Sequence, residues 1–266
     1  RLARRAAEAA RMGALAVALV LPALATFAYS ARRAARLGQE ADTRTAEALP
    51  AAALQQDGVA FRRDVMPIGA GIVLSAMYFR VDLFLVGWWE GPASAGLYNA
   101  VFRLVEALRL VPAAALAVAL PLLCRATNAR PLLRVAAALT GFAVATTAVL
   151  WITAAWLVPL LYGDTYAAAV PAFQVLLLSF PLMSLNYALT HQLIGWNGHR
   201  AYAALCGAAL VANLALNARL IPALGIVGAA WSTLLTEVVI TAGSVAVLRS
   251  YPAGAVARPV AVTVGP

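Results

Sequence analysis

Apolar residues dominate seven stretches of 19 to 30 residues, at about Met12–Ser30, Val65–Trp89, Leu97–Leu123, Leu132–Leu161, Ala168–Thr190, Tyr202–Leu220 and Ile226–Leu248. About 20 apolar residues suffice to cross a bilayer as a helix. The pattern therefore predicts an all-α membrane protein, a bundle of about seven transmembrane helices. Breakers sit where the turns should be: Gly91-Pro92, Asn128 with Pro131, Gly163-Asp164, Gly195 with Gly198, and Pro222 with Gly225.

The one long polar stretch, Ala31–Asp64, mixes Glu40, Asp42, Glu47 and Asp57 with six arginines. Pro50, Gly58 and an Ala-rich middle mark it as a linker rather than a folded domain. The chain thus divides into 1–30, a first span with a basic leader; 31–64, a linker; 65–250, six spans; and 251–266, a tail. Arg1–Arg11 is basic enough for an amphipathic helix. A secretory signal is the competing reading of 1–30, with an Arg-rich start, an apolar core and the small-residue end Ala28-Tyr-Ser30. That reading would put the arginines of 31–64 outside, against the positive-inside bias. The chain opens on Arg1 rather than Met and is read as part of something longer.

Composition agrees with the pattern: 63% of residues are hydrophobic and 12% charged, with a mean hydropathy of +0.83. A soluble domain is nearer 45–50% apolar and 25% charged. The net charge of +9 comes from 20 basic residues, all arginine. In so apolar a chain they are topology markers first, and the aromatic–basic interleaving of an RNA binder is absent, so no nucleic acid is expected. Ala31–Asp64, Cys124–Arg134, His191–Arg200 and the tail after Leu248 hold six, three, one and two arginines, and the alternate turns hold Arg219 alone. The first set is assigned to the cytoplasm. The Arg1–Arg11 cluster is discordant: it is a reentrant or surface helix, or the start of the chain misleads. Trp88, Trp89, Tyr162 and Tyr166 fall at the opposite rim, where interface aromatics belong. Cys124 and Cys206 have no CxxC spacing and imply neither disulfide nor metal. His191 and His199 lack partners at metal spacing. No cofactor is expected.

Charge interrupts two spans. Val65–Trp89 holds Arg80 and Asp82, and Leu97–Leu123 holds Arg103, Glu106 and Arg109. A mid-span charge costs ~2.5–3.5 kcal/mol on insertion scales, so three in lipid would cost roughly 8–10 kcal/mol. These groups should face a bundle interior, each other or a wet cavity, and the two helices are read as walls of a cationic passage. Asn99, Arg103, Glu106 and Arg109 step by four, three and three onto one helical stripe. Glu106 reaches both arginines as an i, i+3 neighbour. One reading is an internal ion triad fixing helix packing. The other is a partly neutralised wall for a pyrophosphate, whose oxygens a guanidinium grips bidentately. Arg103 also has an architectural reading.

Arg80 and Asp82 lie about 200° apart on a helix and share no face. Arg80 is expected to face the cavity, with Asp82 paired structurally, for instance to an arginine of the next span. Glu237, the sole acid of the last span, shares a stripe with Thr233, Thr241 and Ser244. It is either a proton- or sodium-coupling site or an uncharged acid hydrogen-bonded to threonine. Gln174, Asn186, Asn213 and Asn217 read as interhelical hydrogen-bond glue, with Asn213 and Asn217 the best pair.

Arg80-Val-Asp82-Leu-Phe-Leu-Val-Gly87, Gly96-Leu-Tyr98-Asn-Ala-Val-Phe-Arg103-Leu, Val111-Pro112 and Leu120-Pro121 form one ordered pattern with Leu161-Tyr-Gly163-Asp-Thr-Tyr166 and Ile221-Pro-Ala-Leu-Gly225-Ile-Val-Gly228-Ala-Ala230. Over about Arg62–Leu248 this resembles the C-terminal half of the polysaccharide-biosynthesis flippases of O-antigen-translocase type. That family lies in the multidrug/oligosaccharidyl-lipid/polysaccharide (MOP) exporter superfamily. The resemblance implies one lobe of a two-lobe transporter in a bacterial cytoplasmic membrane. The first span would be the last helix of the N-terminal lobe, and 31–64 the cytoplasmic connector. Most of that N-terminal lobe is missing, and a cavity between repeats needs both walls.

The implied activity is movement of polyprenyl-pyrophosphate-linked oligosaccharide by alternating access for envelope polysaccharide synthesis. Arg80, Arg103 and Arg109 would bind the pyrophosphate, Asp82 and Glu106 would be their charge partners, and Glu237 would couple an ion. Expected partners are the lipid-linked oligosaccharide, membrane lipids, the missing N-terminal lobe, and a polysaccharide polymerase with its export machinery. A lipid II flippase and a multidrug or cation antiporter remain within the superfamily, although a net-positive wall points away from organic cations. A membrane glycosyltransferase or polysaccharide polymerase is the enzyme alternative. The short outer loops, and the absence of a nucleophile–base arrangement or a phosphate-cradling glycine loop, weigh against it, so no enzyme is expected. A scaffold within an export complex is the non-catalytic alternative.

Overall fold

The computed structural model describes residues 66–125 and 130–250. The expected first span, the linker 31–64 and the tail 251–266 lie outside the described residues. Within them the chain is helical apart from short turns, and no strand occurs. The helices are α1 (residues 66–78), α2 (Val81–Trp89), α3 (Gly91–Leu108), α4 (Leu110–Arg125), α5 (Arg130–Tyr162), α6 (Val170–Gly195), α7 (His199–Leu224) and α8 (Ile226–Ser250), with a 3-10 turn at Asp164–Ala169 before α6.

Five stretches are long and apolar enough to cross a membrane: Met66–Trp89, Arg130–Tyr162, Asp164–Gly195, His199–Leu224 and Ile226–Ser250. The other span expected here, Leu97–Leu123, is two helices meeting at Arg109. Pro112 accounts for the break. It has no N–H to offer the Leu108 carbonyl four residues back, and its ring crowds that carbonyl. The Arg109 N–H still reaches the Val105 carbonyl at 3.3 Å, and the Ala113 N–H reaches the Arg109 carbonyl at 3.1 Å, so helix resumes at once.

α6 is the centre of the bundle. It packs most extensively on α5 and α8, and also on α3, α4 and α7. Half of the apolar window of Asp164–Gly195 is buried, against 11% for Met66–Trp89, which puts α1 and α2 at an edge. Interior contacts rely on small residues: Ala143, Ala154, Ala172, Ala188, Ala209 and Ala229 have no exposed surface. Large side chains point outward instead, as with Val118, Ile152 and Trp156. This is the reverse of a soluble core and suits a solvent as apolar as leucine, in which close backbone approach and polar contacts hold helices together.

Those polar contacts are internal. Gln192 Nε2 donates to the Leu123 carbonyl at 3.2 Å, fastening α6 to the end of α4. Asn217 Nδ2 donates to Asn213 Oδ1 at 2.8 Å, and Asn213 Nδ2 donates to Thr236 Oγ1 at 3.2 Å, fastening α7 to α8. The expected asparagine pair is thus formed. Gln174 Nε2 donates to the Trp151 carbonyl at 3.3 Å.

The α7–α8 hairpin turns on Gly225, at φ 57° and ψ −138°, a backbone region that a side chain strains. Three residues on, a Cβ at Gly228 would strike the Leu220 carbonyl. The two glycines of the Gly225-Ile-Val-Gly228 motif are therefore required by backbone geometry. Gly228→Ala is expected to destabilise the bundle by about 1–3 kcal/mol through overpacking. A fall in the thermal midpoint of detergent-purified protein checks this, and an unchanged midpoint would show that the hairpin yields without cost.

Candidate functional site

Two interruptions in the helices meet at one place. The first is the Phe79–Arg80 turn between α1 and α2, where the Arg80 N–H bonds back to the Met77 carbonyl at 3.1 Å. No glycine or proline occurs in residues 79–84, so side chains hold this turn. Asp82 enters the first turn of α2 almost fully buried, at 2% exposure. Its Oδ1 accepts the Leu83 N–H at 2.8 Å. Its Oδ2 accepts the Tyr98 hydroxyl at 2.6 Å and the Thr233 hydroxyl at 3.3 Å. Asp82 thus ties α2 to α3 and α8 through hydroxyls, instead of pairing with an arginine of the next span. Tyr98, from the Gly96-Leu-Tyr98 motif, is the residue that sequence reasoning left without a role.

With Asp82 turned inward, Arg80 points away from the core, as the 200° separation requires. Its Nη2 lies 2.7 Å from Glu106 Oε1 on α3, and the two side chains are 40% and 35% exposed. The triad expected within α3 is therefore replaced by a pair between helices, because the turn at Arg80 carries a closer cation to Glu106. Arg103, one turn before Glu106, is exposed. Arg80, Glu106 and Arg103 form an accessible charged patch with one net positive charge.

The second interruption is at Arg109. Its guanidinium carbon lies 3.8 Å from the centroid of the Phe79 ring and 5.4 Å from that of Tyr187. Nη2 donates to the Tyr187 hydroxyl at 3.1 Å, while the buried Nε has no hydrogen-bond partner. Stacking on two rings lets a cation sit inside an apolar bundle without a carboxylate on it.

Arg109 is in the wall of a cavity of about 120 Å³ between α1, α6, α7 and α8. Glu237 lines the same cavity from α8 and is 1% exposed. Asn186 Nδ2 donates to Glu237 Oε2 at 2.7 Å and to the Glu237 carbonyl at 3.0 Å. The Thr241 hydroxyl donates to Asn186 Oδ1 at 2.9 Å, which fixes the amide's orientation. The expected threonine thus acts on the carboxyl through Asn186, and Glu237 Oε1 is left without a partner. His191 Nδ1 lies 2.8 Å from the Tyr187 carbonyl and its ring stacks on Tyr187, at the end of the cavity nearest the Gly195–His199 turn.

The structure separates the predicted residues into three groups. Arg80, Glu106 and Arg103 share the exposed patch, Arg109 and Glu237 share the cavity, and Asp82 belongs to the buried tie. Phe79, Tyr187 and His191 are wall residues that sequence reasoning missed as such. A usable signal was there, since Asn186, Tyr187, Thr190 and His191 cluster on one helical face of an otherwise apolar span. Among the described residues, no group of three His, Cys, Asp or Glu side chains is placed to hold a metal.

Comparison with known proteins bears on the fold. No family model matches the chain, and no curated protein does. Among solved structures, the chain resembles a MOP superfamily transporter from Pyrococcus furiosus, described as having a binding pocket of reverse polarity that suggests a different function. The TM-score is 0.58 at 23% identity, over 70% of this chain and 43% of the transporter's. The chain thus spans less than half the length of that transporter. At this identity the likeness establishes a shared fold: the described bundle has the architecture of part of a MOP superfamily transporter.

Proposed function

We propose that this chain is one lobe of a transporter that moves a polyprenyl-pyrophosphate-linked oligosaccharide across the cytoplasmic membrane for envelope polysaccharide synthesis. The observation that carries this reading is the accessible Arg80–Glu106 pair with Arg103, on the edge of a bundle whose outer surface is otherwise apolar. Charge at that depth is too costly to leave in hydrocarbon. The edge formed by α1, α2 and α3 therefore faces a water-filled gap, with a second lobe across it. Arg80 and Arg103 outnumber Glu106, so the gap favours an anion. The pyrophosphate of a carrier lipid has the charge and the planar oxygen pairs that guanidinium groups hold best. The same positive balance disfavours an organic-cation antiporter.

The test is leaflet exchange of a fluorescent polyprenyl-pyrophosphate disaccharide in vesicles carrying the full protein. Exchange should be faster than for the same disaccharide on a neutral polyprenol. The double variant Arg80→Ala/Arg103→Ala should weaken lipid binding about 10–150-fold, the loss of one charge-assisted contact worth ~1.5–3 kcal/mol. Equal exchange of both lipids, or a double variant that binds normally, would overturn the reading.

A further inference from the structure

The cavity inside the bundle is separate from the charged patch on its edge, and the proposed pyrophosphate contacts at Arg80 and Arg103 leave it unused. Its two open valences are of opposite kind. Arg109 Nε is an N–H donor, buried and unpartnered, and Glu237 Oε1 is a carboxyl oxygen, buried and unpartnered. Both residues line the one cavity of about 120 Å³, enough for a single phosphate-sized group and too small for a sugar repeat. Buried polar atoms without partners are rare in folded proteins and are most simply explained by something that the site receives.

The occupant has to satisfy both atoms. A metal cation suits Glu237 but would sit against the Arg109 guanidinium. An oxyanion suits Arg109 but would sit against a carboxylate. A protonated Glu237 removes that conflict, because its Oε1–H then donates to the anion while Oε2 keeps the Asn186 hydrogen bond. The other ionisable groups facing the cavity are Tyr78 from α1, Tyr187 and His191 from α6, and Tyr202 and Cys206 from α7. None of these is an acid, and Tyr187 already orients Arg109. On α2 the nearest carboxyl is Asp82, held on Thr233 one turn of α8 before Glu237 and closed off by Tyr98.

We infer that this cavity binds one phosphate-class oxyanion between Arg109 and Glu237, and that Glu237 takes up one proton as the anion enters. The step is a proton transfer from water to Glu237 Oε1 with no covalent change in the anion. The inference deepens the transporter reading, in which the anion is a phosphate of the lipid-linked sugar. A free phosphate has the same chemistry, and the experiment separates the two sources.

The full protein in nanodiscs is titrated calorimetrically with inorganic pyrophosphate and with inorganic phosphate, in two buffers of different ionisation enthalpy. Polyprenyl pyrophosphate is titrated as a separate arm. Binding is expected with uptake of one proton per site beyond that taken up by the anion itself, and affinity should fall as pH rises. Glu237→Gln keeps a donor toward the anion, so it should bind with the extra proton uptake abolished. Arg109→Ala should weaken binding at least 10-fold. Saturation by the inorganic anions identifies a site open to free phosphate, and saturation by the lipid alone identifies a headgroup site. Both of these results support the inference. Absence of binding in every arm, proton uptake unchanged in Glu237→Gln, or stabilisation by sodium with no effect of anions would each overturn it. Failure here with normal exchange of the lipid-linked disaccharide leaves the transporter reading standing. Anion binding with proton uptake but no lipid exchange would remove that reading and keep this one.

Discussion

Arg109→Ala should reduce exchange of the pyrophosphate lipid about 10–150-fold while the protein still inserts and folds. The magnitude is that of one guanidinium–oxyanion contact, ~1.5–3 kcal/mol. Folding should survive because Arg109 makes no ion pair with a carboxylate that would be left uncompensated. Its printed contacts are a stack on Phe79, a looser one on Tyr187, and one hydrogen bond to the Tyr187 hydroxyl. Arg109→Lys should restore little. An ammonium lacks the plane that lies over Phe79 and the separate Nε that faces the cavity. Vesicle exchange, with gel filtration as the check on folding, measures both variants. Normal exchange in Arg109→Ala would remove Arg109 from the transport path and leave it a packing residue.

The second large effect is on stability and arises at the buried tie. Tyr98→Phe should cost about 1.5–3 kcal/mol, because it takes the 2.6 Å donor from Asp82 where no water can replace it. Asp82→Asn should cost less, since an amide keeps an acceptor for Tyr98. The double variant should lose less than the sum of the two, as expected when both substitutions remove one shared contact. Thermal midpoints of the three purified proteins close this cycle. Strict additivity would mean that the Tyr98–Asp82 hydrogen bond contributes nothing of its own. Transport is expected to fall only as far as folded protein falls, which separates this pair from Arg109.

Much of this was legible from the chain, and for a definite reason. Spans follow from apolar length, which is local, so five of the expected helices appear within a few residues of their predicted limits. The glycines of the Gly225-Ile-Val-Gly228 motif announce a tight hairpin because no other residue fits that backbone. Asn213 and Asn217 meet because i, i+4 spacing fixes them on one face. Partner choice across helices was harder to read. Glu106 has two arginines within reach on its own helix, yet its ion pair is with Arg80, which a turn without glycine or proline brings to it. Asp82 reads as a partner for arginine by charge alone, yet burial places it among hydroxyls. The break at Pro112 was written in the sequence, but membrane helices often tolerate proline. That Arg109 would stack on Phe79 depends on two interruptions meeting in space, which no local pattern records.

The account stands on the wetness of the edge carrying Arg80, Glu106 and Arg103, and a thiol placed there reports it. With Cys124 and Cys206 replaced by alanine, Arg103→Cys should react in intact membranes with a charged, membrane-impermeant methanethiosulfonate. Trp156→Cys, on the outward face of α5, should not react. Contradiction would be a cysteine at 103 that resists the charged reagent while a lipid-soluble maleimide labels it as readily as the one at 156, because that edge would then lie in hydrocarbon.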